Sequence, residues 1–136
     1  MRSLLDVNVL IALLDPDHVF HDRAHRWYAD NRDWGWASCP ITENGVVRIM
    51  TLPQYHPGRR LSVATLVDML REFSANSDHE FWLDDVSLCD PAVFDVGEVA
   101  KSGQITDLYL LALAVRRGGR LVTFDARIRV PAVRGA

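Results

Sequence analysis

The sequence predicts an α/β fold in which helices flank a central, mainly parallel β-sheet. Short apolar segments of strand length alternate along the chain with longer segments of helical periodicity, and this alternation is typical of such folds. One segment near the C-terminus predicts a helix that is apolar on nearly every side, which places it in the middle of the fold.

The N-terminal part of the chain predicts one strand followed by two helices. Residues 3–5 form a short buried strand, and residues 8–14 continue as an apolar helix. The sequence Asp15-Pro16-Asp17 ends that helix. Apolar side chains then fall at positions i, i+4, i+7 and i+8, on one face of a second helix: Phe20, Ala24, Trp27 and Tyr28.

A second strand, a helix and a loop follow. Residues 36–38 predict the strand, which ends at Pro40, and residues 41–52 predict the helix after it. Two prolines and a glycine between residues 52 and 60 indicate a loop.

The next segment predicts a helix, a strand and a shorter helix. Ser62 can cap a helix whose apolar side chains repeat at helical spacing, namely Val63, Leu66, Val67, Leu70 and Phe73. Residues 80–83 are consistent with a third strand, and residues 91–100 with the shorter helix.

The C-terminal part contains the clearest helix. Thr106 can cap its N-terminus, and residues 108–115 are apolar on nearly every side. Gly118-Gly119 ends the helix. Residues 121–124 then predict a buried strand that ends in Asp125.

Composition indicates one soluble globular domain, residues 1–136, in a reducing cytoplasm. The chain is 49% hydrophobic and 24% charged, which argues against disorder. No apolar segment is long enough to span a membrane, and Asp6 and Asn8 interrupt any secretory signal. Cys39 and Cys89 are too few for a disulfide framework, and we expect both to be small buried hydrophobic residues. The net charge of −3 also distinguishes the chain from a general, basic nucleic-acid binder.

Four acidic residues lie at or just after the predicted carboxyl ends of strands. Asp6 closes the first strand and Asp125 the last, Glu43 lies in the first turn of the helix after the second strand, and Asp107 directly follows Thr106. In open parallel sheets, ligands bind beyond these strand ends. We therefore expect the four carboxylates to converge at one edge of the sheet. Such convergence would explain Asp6, because a carboxylate in an apolar segment needs a proton, a partner or a metal.

Carboxylates crowded together repel one another, and a divalent cation removes that repulsion. Mg²⁺ prefers carboxylate oxygens, and Mn²⁺ accepts the same ligands. Such an ion can bind a phosphate oxygen and activate a water molecule, so the pattern suits phosphodiester hydrolysis. Asn8 can cap the first helix, and its amide could also orient Asp6.

Four segments resemble the successive motifs of PIN domains, in order and at fitting separations: LLDVNVLIALL, SCPITENGVVRI, ITDLYLLALA and LVTFD. The chain is most similar to the VapC toxins of bacterial type II toxin–antitoxin pairs. The resemblance implies a PIN-like three-layer sandwich and a metal-dependent endoribonuclease that uses Mg²⁺ or Mn²⁺. It also implies inhibition by a VapB-like antitoxin that blocks the acidic pocket, an RNA substrate such as tRNA or rRNA, and a homodimer.

The same resemblance assigns functions to individual residues. The family's acidic positions, which bind the metal and carry catalysis, match Asp6, Glu43, Asp107 and Asp125. Its supporting hydroxyl positions match Thr106 and Thr123.

Two other functions are compatible with the residues. A phosphatase with a nucleophilic aspartate would use Asp6, which lies in the sequence Asp-Val-Asn. It would also use Lys101, the only lysine of the chain, but Asn8 is a poor acid–base partner for this reaction. A non-catalytic interaction module would use the acids to bind a structural cation or a partner's arginines.

Two basic or metal-ligating patterns lie outside the acidic set. Arg59 and Arg60 occupy the Pro/Gly loop and could contact RNA phosphates. His21 and His25 have a spacing that can hold a transition metal, but without further ligands nearby they predict a solvated helix face.

Overall fold

A four-stranded sheet forms the centre of the computed structural model, which describes residues 1–136. The strands are β1 (Ser3–Leu5), β2 (Trp36–Ser38), β3 (His79–Phe81) and β4 (Arg120–Val122). Their order across the sheet is β3-β2-β1-β4, and every pairing is parallel. β1 therefore lies in the interior of the sheet, and the first strand of the chain contacts the last.

Five α-helices connect and cover these strands: α1 (Val7–Leu14), α2 (His21–Asn31), α3 (Pro40–Met50), α4 (Val63–Ala75) and α5 (Ile105–Arg116). Four single-turn 3₁₀-helices complete the secondary structure: Arg32–Trp34, Val96–Glu98, Ser102–Gln104 and Val130–Ala132. The predicted order of strands and long helices is confirmed, with boundaries shifted by a few residues at most. No helix is long and apolar enough to cross a membrane.

The two faces of the sheet bury separate hydrophobic clusters, which confirms the three-layer α/β arrangement. Successive strand residues point to opposite faces. Leu5 and Trp36 pack with α1, α2, α3 and α4 on one face. Leu4 and Ala37 pack with α5 and the C-terminal segment on the other face. The helix predicted to be central, α5, accordingly has five buried residues.

Two glycines are required where the chain turns or where helices approach closely. Gly118 has a φ of +65° and follows the end of α5, in the left-handed conformation that glycine adopts without strain. A Cβ on Gly45 would lie 2.7 Å from Cγ2 of Val7, so only glycine lets α3 pack this close to the start of α1.

The helix predicted for residues 91–100 is wrong. That segment forms turns, an isolated antiparallel bridge between Phe94 and Val133, and the 3₁₀-helix Val96–Glu98. The backbone N–H of Asp95 donates to the carbonyl of Ala132 at 2.9 Å, a bond to the C-terminal segment in place of a helical bond. Phe94 is buried in the hydrophobic cluster that contains Leu4 and Ala37, and this burial outweighs the local preference of the segment for a helix.

Two other predictions about single residues are wrong. Thr106 does not cap α5, because the 3₁₀-helix Ser102–Gln104 leads directly into α5 and Gln104 occupies the cap position. Cys89 is exposed, whereas Cys39 is buried as expected. Cys89 lies in an irregular segment outside both core clusters, where no apolar neighbours enclose it.

Candidate active site

Asp6 is held at the junction between β1 and α1. Its side chain is the N-cap of α1, and Oδ1 accepts a 2.7 Å hydrogen bond from the backbone N–H of Val7. Oδ2 accepts a 2.7 Å hydrogen bond from the hydroxyl of Thr123, which follows β4. The residue is only 6% exposed, so these two donors, together with the positive end of the helix dipole, stabilise a carboxylate among apolar neighbours.

Thr123 connects three residues of the site. Its hydroxyl donates to Asp6, and it accepts hydrogen bonds from the backbone N–H of Asp125 at 3.0 Å and from Nδ2 of Asn8 at 3.3 Å. The Asn8 carbonyl in turn accepts from the backbone N–H of Phe124 at 3.3 Å. Asn8 therefore fixes the segment after β4 and does not cap α1, since Asp6 already occupies that position.

Asp107 lies in the first turn of α5 and faces Asp6 and Asp125. Burial and the negative charges of Asp6 and Asp125 raise the pKa of Asp107 to about 6. When Asp107 is protonated, its carboxyl group is close enough to Asp125 to donate a hydrogen bond to it. Three of the four acids identified in the sequence thus interact electrostatically at the carboxyl edge of the sheet.

Asp125 is already paired with a cation. The side chain and backbone N–H of Arg127 both donate to Oδ1 of Asp125, and these bonds hold the pKa of Asp125 below its usual value. A cavity of about 270 Å³ lies against this pair and Asp107, and Lys101 and Gln104 also line it. The acidic residues therefore border a recess that contains two cationic side chains.

Glu43 is not among the groups that shift the pKa of Asp107, and it borders a different cavity. Its Oε2 accepts a 2.6 Å hydrogen bond from the hydroxyl of Ser38, the last residue of β2. The same Ser38 oxygen is 2.8 Å from Nε2 of His79, and because its single proton goes to Glu43, it accepts the hydrogen of His79. Glu43 and His79 border the groove of about 990 Å³ between α3 and α4. Burial lowers the pKa of His79, although the charge of Glu43 partly opposes this effect.

The site fits a hard divalent cation by its donor chemistry, although its side chains are not gathered into a finished coordination shell. No three His, Cys, Asp or Glu side chains lie in an arrangement ready to enclose one ion. The donors that do meet are all carboxylate oxygens, the ligands that Mg²⁺ and Mn²⁺ prefer. The raised pKa of Asp107 reflects its burial and the nearby negative charges of Asp6 and Asp125, and a bound cation would offset those charges.

The remaining predicted residues lie outside this cluster. Thr106 is exposed on α5, and its hydroxyl bonds to none of the acids. Arg59 and Arg60 are exposed in the loop between α3 and α4. Arg59 interacts electrostatically with Asp15, which lies at the opposite end of α1 from Asp6.

The predicted solvated face of α2 is only partly exposed. The rings of His21 and His25 are 4.3 Å apart and bond to the carbonyls of Ala12 and Leu13 at 2.7 and 2.9 Å. These two histidines therefore attach α2 to the end of α1, and they form no metal-binding group.

Comparison with known proteins identifies the family of this fold and site. Residues 3–133 match the PIN domain family. The chain is a PIN-domain protein. The PIN domain is 50% identical over 136 residues to ribonuclease VapC44 of Mycobacterium tuberculosis (strain ATCC 25618 / H37Rv). The alignment covers 100% of this chain and 94% of the relative.

Two other relatives come from the same strain. Ribonuclease VapC38 is 44% identical over 126 residues, covering 93% of the PIN domain and 86% of its own length. Ribonuclease VapC39 is 44% identical over 131 residues, covering 94% and 91% respectively. The PIN domain therefore belongs with the VapC proteins of this family.

Sequence reasoning missed several side chains that the PIN domain brings to the acids. Ser38 and His79 position Glu43, and Arg127 pairs with Asp125. Lys101 was considered only as the site lysine of the alternative phosphatase, although it lines the cavity beside Asp107. The spacing of two residues between Asp125 and Arg127 could have predicted their ion pair from the sequence. The contact of His79 with Ser38 could not be predicted in this way, because it depends on the pairing of β2 with β3.

Proposed function

We propose that this PIN domain is the toxin of a type II toxin–antitoxin pair and acts as a metal-dependent endoribonuclease. The observation that carries the proposal is the meeting of Asp6, Asp107 and Asp125 in a chain half identical to a protein named as a VapC ribonuclease. Burial and the negative charges of Asp6 and Asp125 raise the pKa of Asp107, so this group of carboxylates is suited to binding a divalent cation, which can polarise a phosphodiester for hydrolysis.

Asp6 and Asp107 would hold Mg²⁺ or Mn²⁺, with Asp125 and Glu43 completing the set of acids. The bound cation would supply a polarised phosphate and a water molecule of lowered pKa. Thr123 keeps the Asp6 carboxylate in place through a 2.7 Å hydrogen bond. Ser38, which is also bonded to His79, fixes the carboxylate of Glu43, and Glu43 would accept a proton from water.

The cationic side chains of the recess would receive the substrate. Arg127 has a side chain that is 90% exposed, and it can exchange its contact with Asp125 for one with an RNA phosphate. Lys101 lines the same cavity as Asp107 and adds a second positive charge. The resemblance to VapC toxins implies products with a 5′-phosphate and a 3′-hydroxyl end.

The partners follow from the same proposal. A cognate VapB-like antitoxin would neutralise the toxin by covering the acidic pocket, the substrate would be a tRNA or an rRNA, and the toxin would form a homodimer. Arg59 and Arg60 would touch only an RNA long enough to reach the far end of α1. Mapping RNA ends after induction in cells, against an Asp6→Ala variant, distinguishes one discrete cut from general degradation.

Purified protein free of antitoxin tests the activity directly. RNA cleavage is measured with Mg²⁺, with Mn²⁺ and after removal of metal by EDTA. Asp107→Asn and Glu43→Gln should each lower the rate by a factor of about 100 or more, on the scale of lost charge stabilisation. The matched controls Asp68→Asn and Glu72→Gln alter exposed acids of α4 and should cleave at the parental rate. Cleavage that is unaffected by EDTA or by both site variants would refute the proposal.

The two other functions make different predictions in the same experiment. A phosphatase would form a covalent aspartyl-phosphate on Asp6, detectable by mass spectrometry, and would not cut RNA. An interaction module would bind its partner without metal and would hydrolyse nothing. Membership of the PIN family together with ribonuclease relatives favours the nuclease.

A further inference from the structure

An aromatic cleft lies beside the acids, and the rings that line it take no part in holding the carboxylates. The cleft has a volume of about 520 Å³ and is lined by Asn8, His18, Phe20, Phe124 and Arg127, among others. Asp125 and Arg127 also line the acidic cavity, so the two recesses share a wall. A ligand chain that crosses Asp125 can therefore enter both.

The cleft presents an aromatic surface to solvent. Phe20 is 39% exposed at the start of α2, and its ring is 5.0 Å from the ring of Phe124. The His18 ring is 5.9 Å from that of Phe20. The two phenylalanine rings and the His18 ring together form an apolar surface next to the acids, against which a ligand with a flat apolar face can pack.

The polar groups of the cleft are suited to a base. Nδ1 of His18 accepts a 3.0 Å hydrogen bond from the backbone N–H of Phe20, so in the neutral ring the proton is on Nε2, which is a donor. The Asn8 amide is already engaged by Thr123 and Phe124. The cleft thus offers stacking surfaces and few directional contacts, which indicates binding that tolerates different bases.

Positive charge near the rings favours a nucleic acid over an apolar peptide. The guanidinium carbon of Arg23 is 5.8 Å from the ring centre of Phe20 and 5.2 Å from that of Phe124. Arg127 stands on the wall shared with the acidic cavity. Aromatic rings interleaved with arginines are the surface that single-stranded RNA binds, since its bases stack and its phosphates pair with the cations.

We infer that this cleft is a base-binding subsite, in which an unpaired base next to the cleaved phosphate stacks on Phe20 and Phe124. The inference rests on the proposed ribonuclease function and adds to it the requirement for a single-stranded substrate at this position. A duplex keeps its bases stacked on one another and cannot place one against these rings.

Binding of fluorescein-labelled octaadenylate tests the subsite. Fluorescence anisotropy is measured with Ca²⁺ in place of Mg²⁺, and gels verify that the RNA stays intact. A second probe has the same sugar–phosphate backbone without bases. The variants are Phe20→Ala, Phe20→Tyr, and the control Phe81→Ala, which removes another exposed phenylalanine, from β3 at the opposite edge of the sheet.

The parent protein should bind octaadenylate at least about fivefold more tightly than the abasic probe, because one base–aromatic stack contributes that much or more. Phe20→Ala should remove this preference and leave binding of the abasic probe unchanged, while Phe20→Tyr keeps a ring and restores the preference. A misfolded variant would lose both probes, so this pattern separates stacking from a structural effect. Phe81→Ala should match the parent.

Equal binding of the two probes by the parent would overturn the subsite, and so would an undiminished preference for octaadenylate in a Phe20→Ala variant that unfolds in urea like the parent. If a protein segment is the true occupant of the cleft, the parent would bind the two probes equally. Cleavage with Mg²⁺ separates this failure from failure of the proposed function. If the parent cuts RNA and Phe20→Ala shows no selective loss, only the subsite is wrong; if the parent cuts no RNA, the nuclease itself is refuted.

Discussion

The hydroxyl of Thr123 donates a 2.7 Å hydrogen bond to the carboxylate of Asp6 across 117 residues of sequence. The two residues follow β4 and β1, which are neighbours in the sheet. This bond joins the first and last parts of the chain at the acids, and it leaves Thr123 free to accept from Asn8 and Asp125. One hydroxyl group therefore links Asp6 to the segment that carries Asp125.

We expect Thr123→Val to weaken both the site and the fold. The substitution keeps the shape of the side chain but leaves Asp6, at 6% exposure, without one of its two donors. Loss of a hydrogen bond to a buried charge should reduce the free energy of unfolding by about 1–3 kcal/mol. RNA cleavage should fall as well. Urea unfolding and cleavage rates measure these effects, with Thr65→Val on the exposed start of α4 as control.

Ser38→Ala should lower cleavage more than it lowers stability. Without the hydroxyl, Glu43 loses its 2.6 Å donor and His79 loses its acceptor. A carboxylate that is no longer held in one orientation should slow catalysis by about tenfold or more, seen in kcat with little change in KM. Ser74→Ala, in the same groove but outside this network, should behave as the parent. Parental kcat in Ser38→Ala would show that Glu43 needs no such positioning.

Asp107→Asn should stabilise the metal-free fold, although it lowers RNA cleavage when Mg²⁺ is present. The folded-state pKa of Asp107 is raised to about 6 from the ordinary value of 3.8, so its charge is less favourable in the folded than in the unfolded state. The gain in unfolding free energy should be complete above about pH 6, decline with falling pH, and vanish below about pH 4, where both states are protonated. We expect about 1 kcal/mol, because solvent screens a partly exposed carboxyl.

Urea unfolding at neutral and acidic pH checks this gain against Asp68→Asn, which should show none. Added Mg²⁺ should stabilise the parent and not Asp107→Asn, because a ligand that binds only the folded state shifts unfolding by mass action. A destabilised Asp107→Asn at neutral pH would contradict the unfavourable charge at this position.

Tyr55→Phe should destabilise the protein at neutral pH and leave RNA cleavage unchanged. The Tyr55 hydroxyl donates a 2.6 Å hydrogen bond to Asp15 and ties the loop after α3 to the end of α1. Burial raises the pKa of Asp15, but its bonds to Tyr55 and to the backbone of Asp17, with the charge of Arg59, together lower it below 3.8. The loss should be about 1–2 kcal/mol above about pH 4.

The same contribution should fade as the pH falls through the lowered folded-state pKa of Asp15, because protonation removes the charged acceptor. Unfolding of Tyr55→Phe and parent, compared across that range, checks the sign. A difference that grows in acid would contradict it.

The sheet and its helices were predictable from the sequence because local signals agreed with the final packing. Asp6 stood out since it interrupts an apolar segment, and its position after β1 was enough to place it at the sheet edge. The segment around Phe94 was not predictable in this way, because its bridge to Val133 joins segments about forty residues apart and no local pattern encodes it.

The acids were found by their positions along the strands, but their partners were not. The sequence does not show that Ser38 bonds to both Glu43 and His79. The contact between Ser38 and His79 depends on the register of β2 against β3. Thr106 was misjudged because a hydroxyl before an apolar helix usually caps it, whereas here a preceding 3₁₀ turn does so.

The placement of β1 between β2 and β4 has a consequence during synthesis on the ribosome. The N-terminal residues emerge first, yet Asp6 finds Thr123, Asp107 and Asp125 only after the C-terminal segment has been translated. The acidic site therefore cannot assemble while only the first half of the chain has left the ribosome, whatever the early strand and helix have already formed.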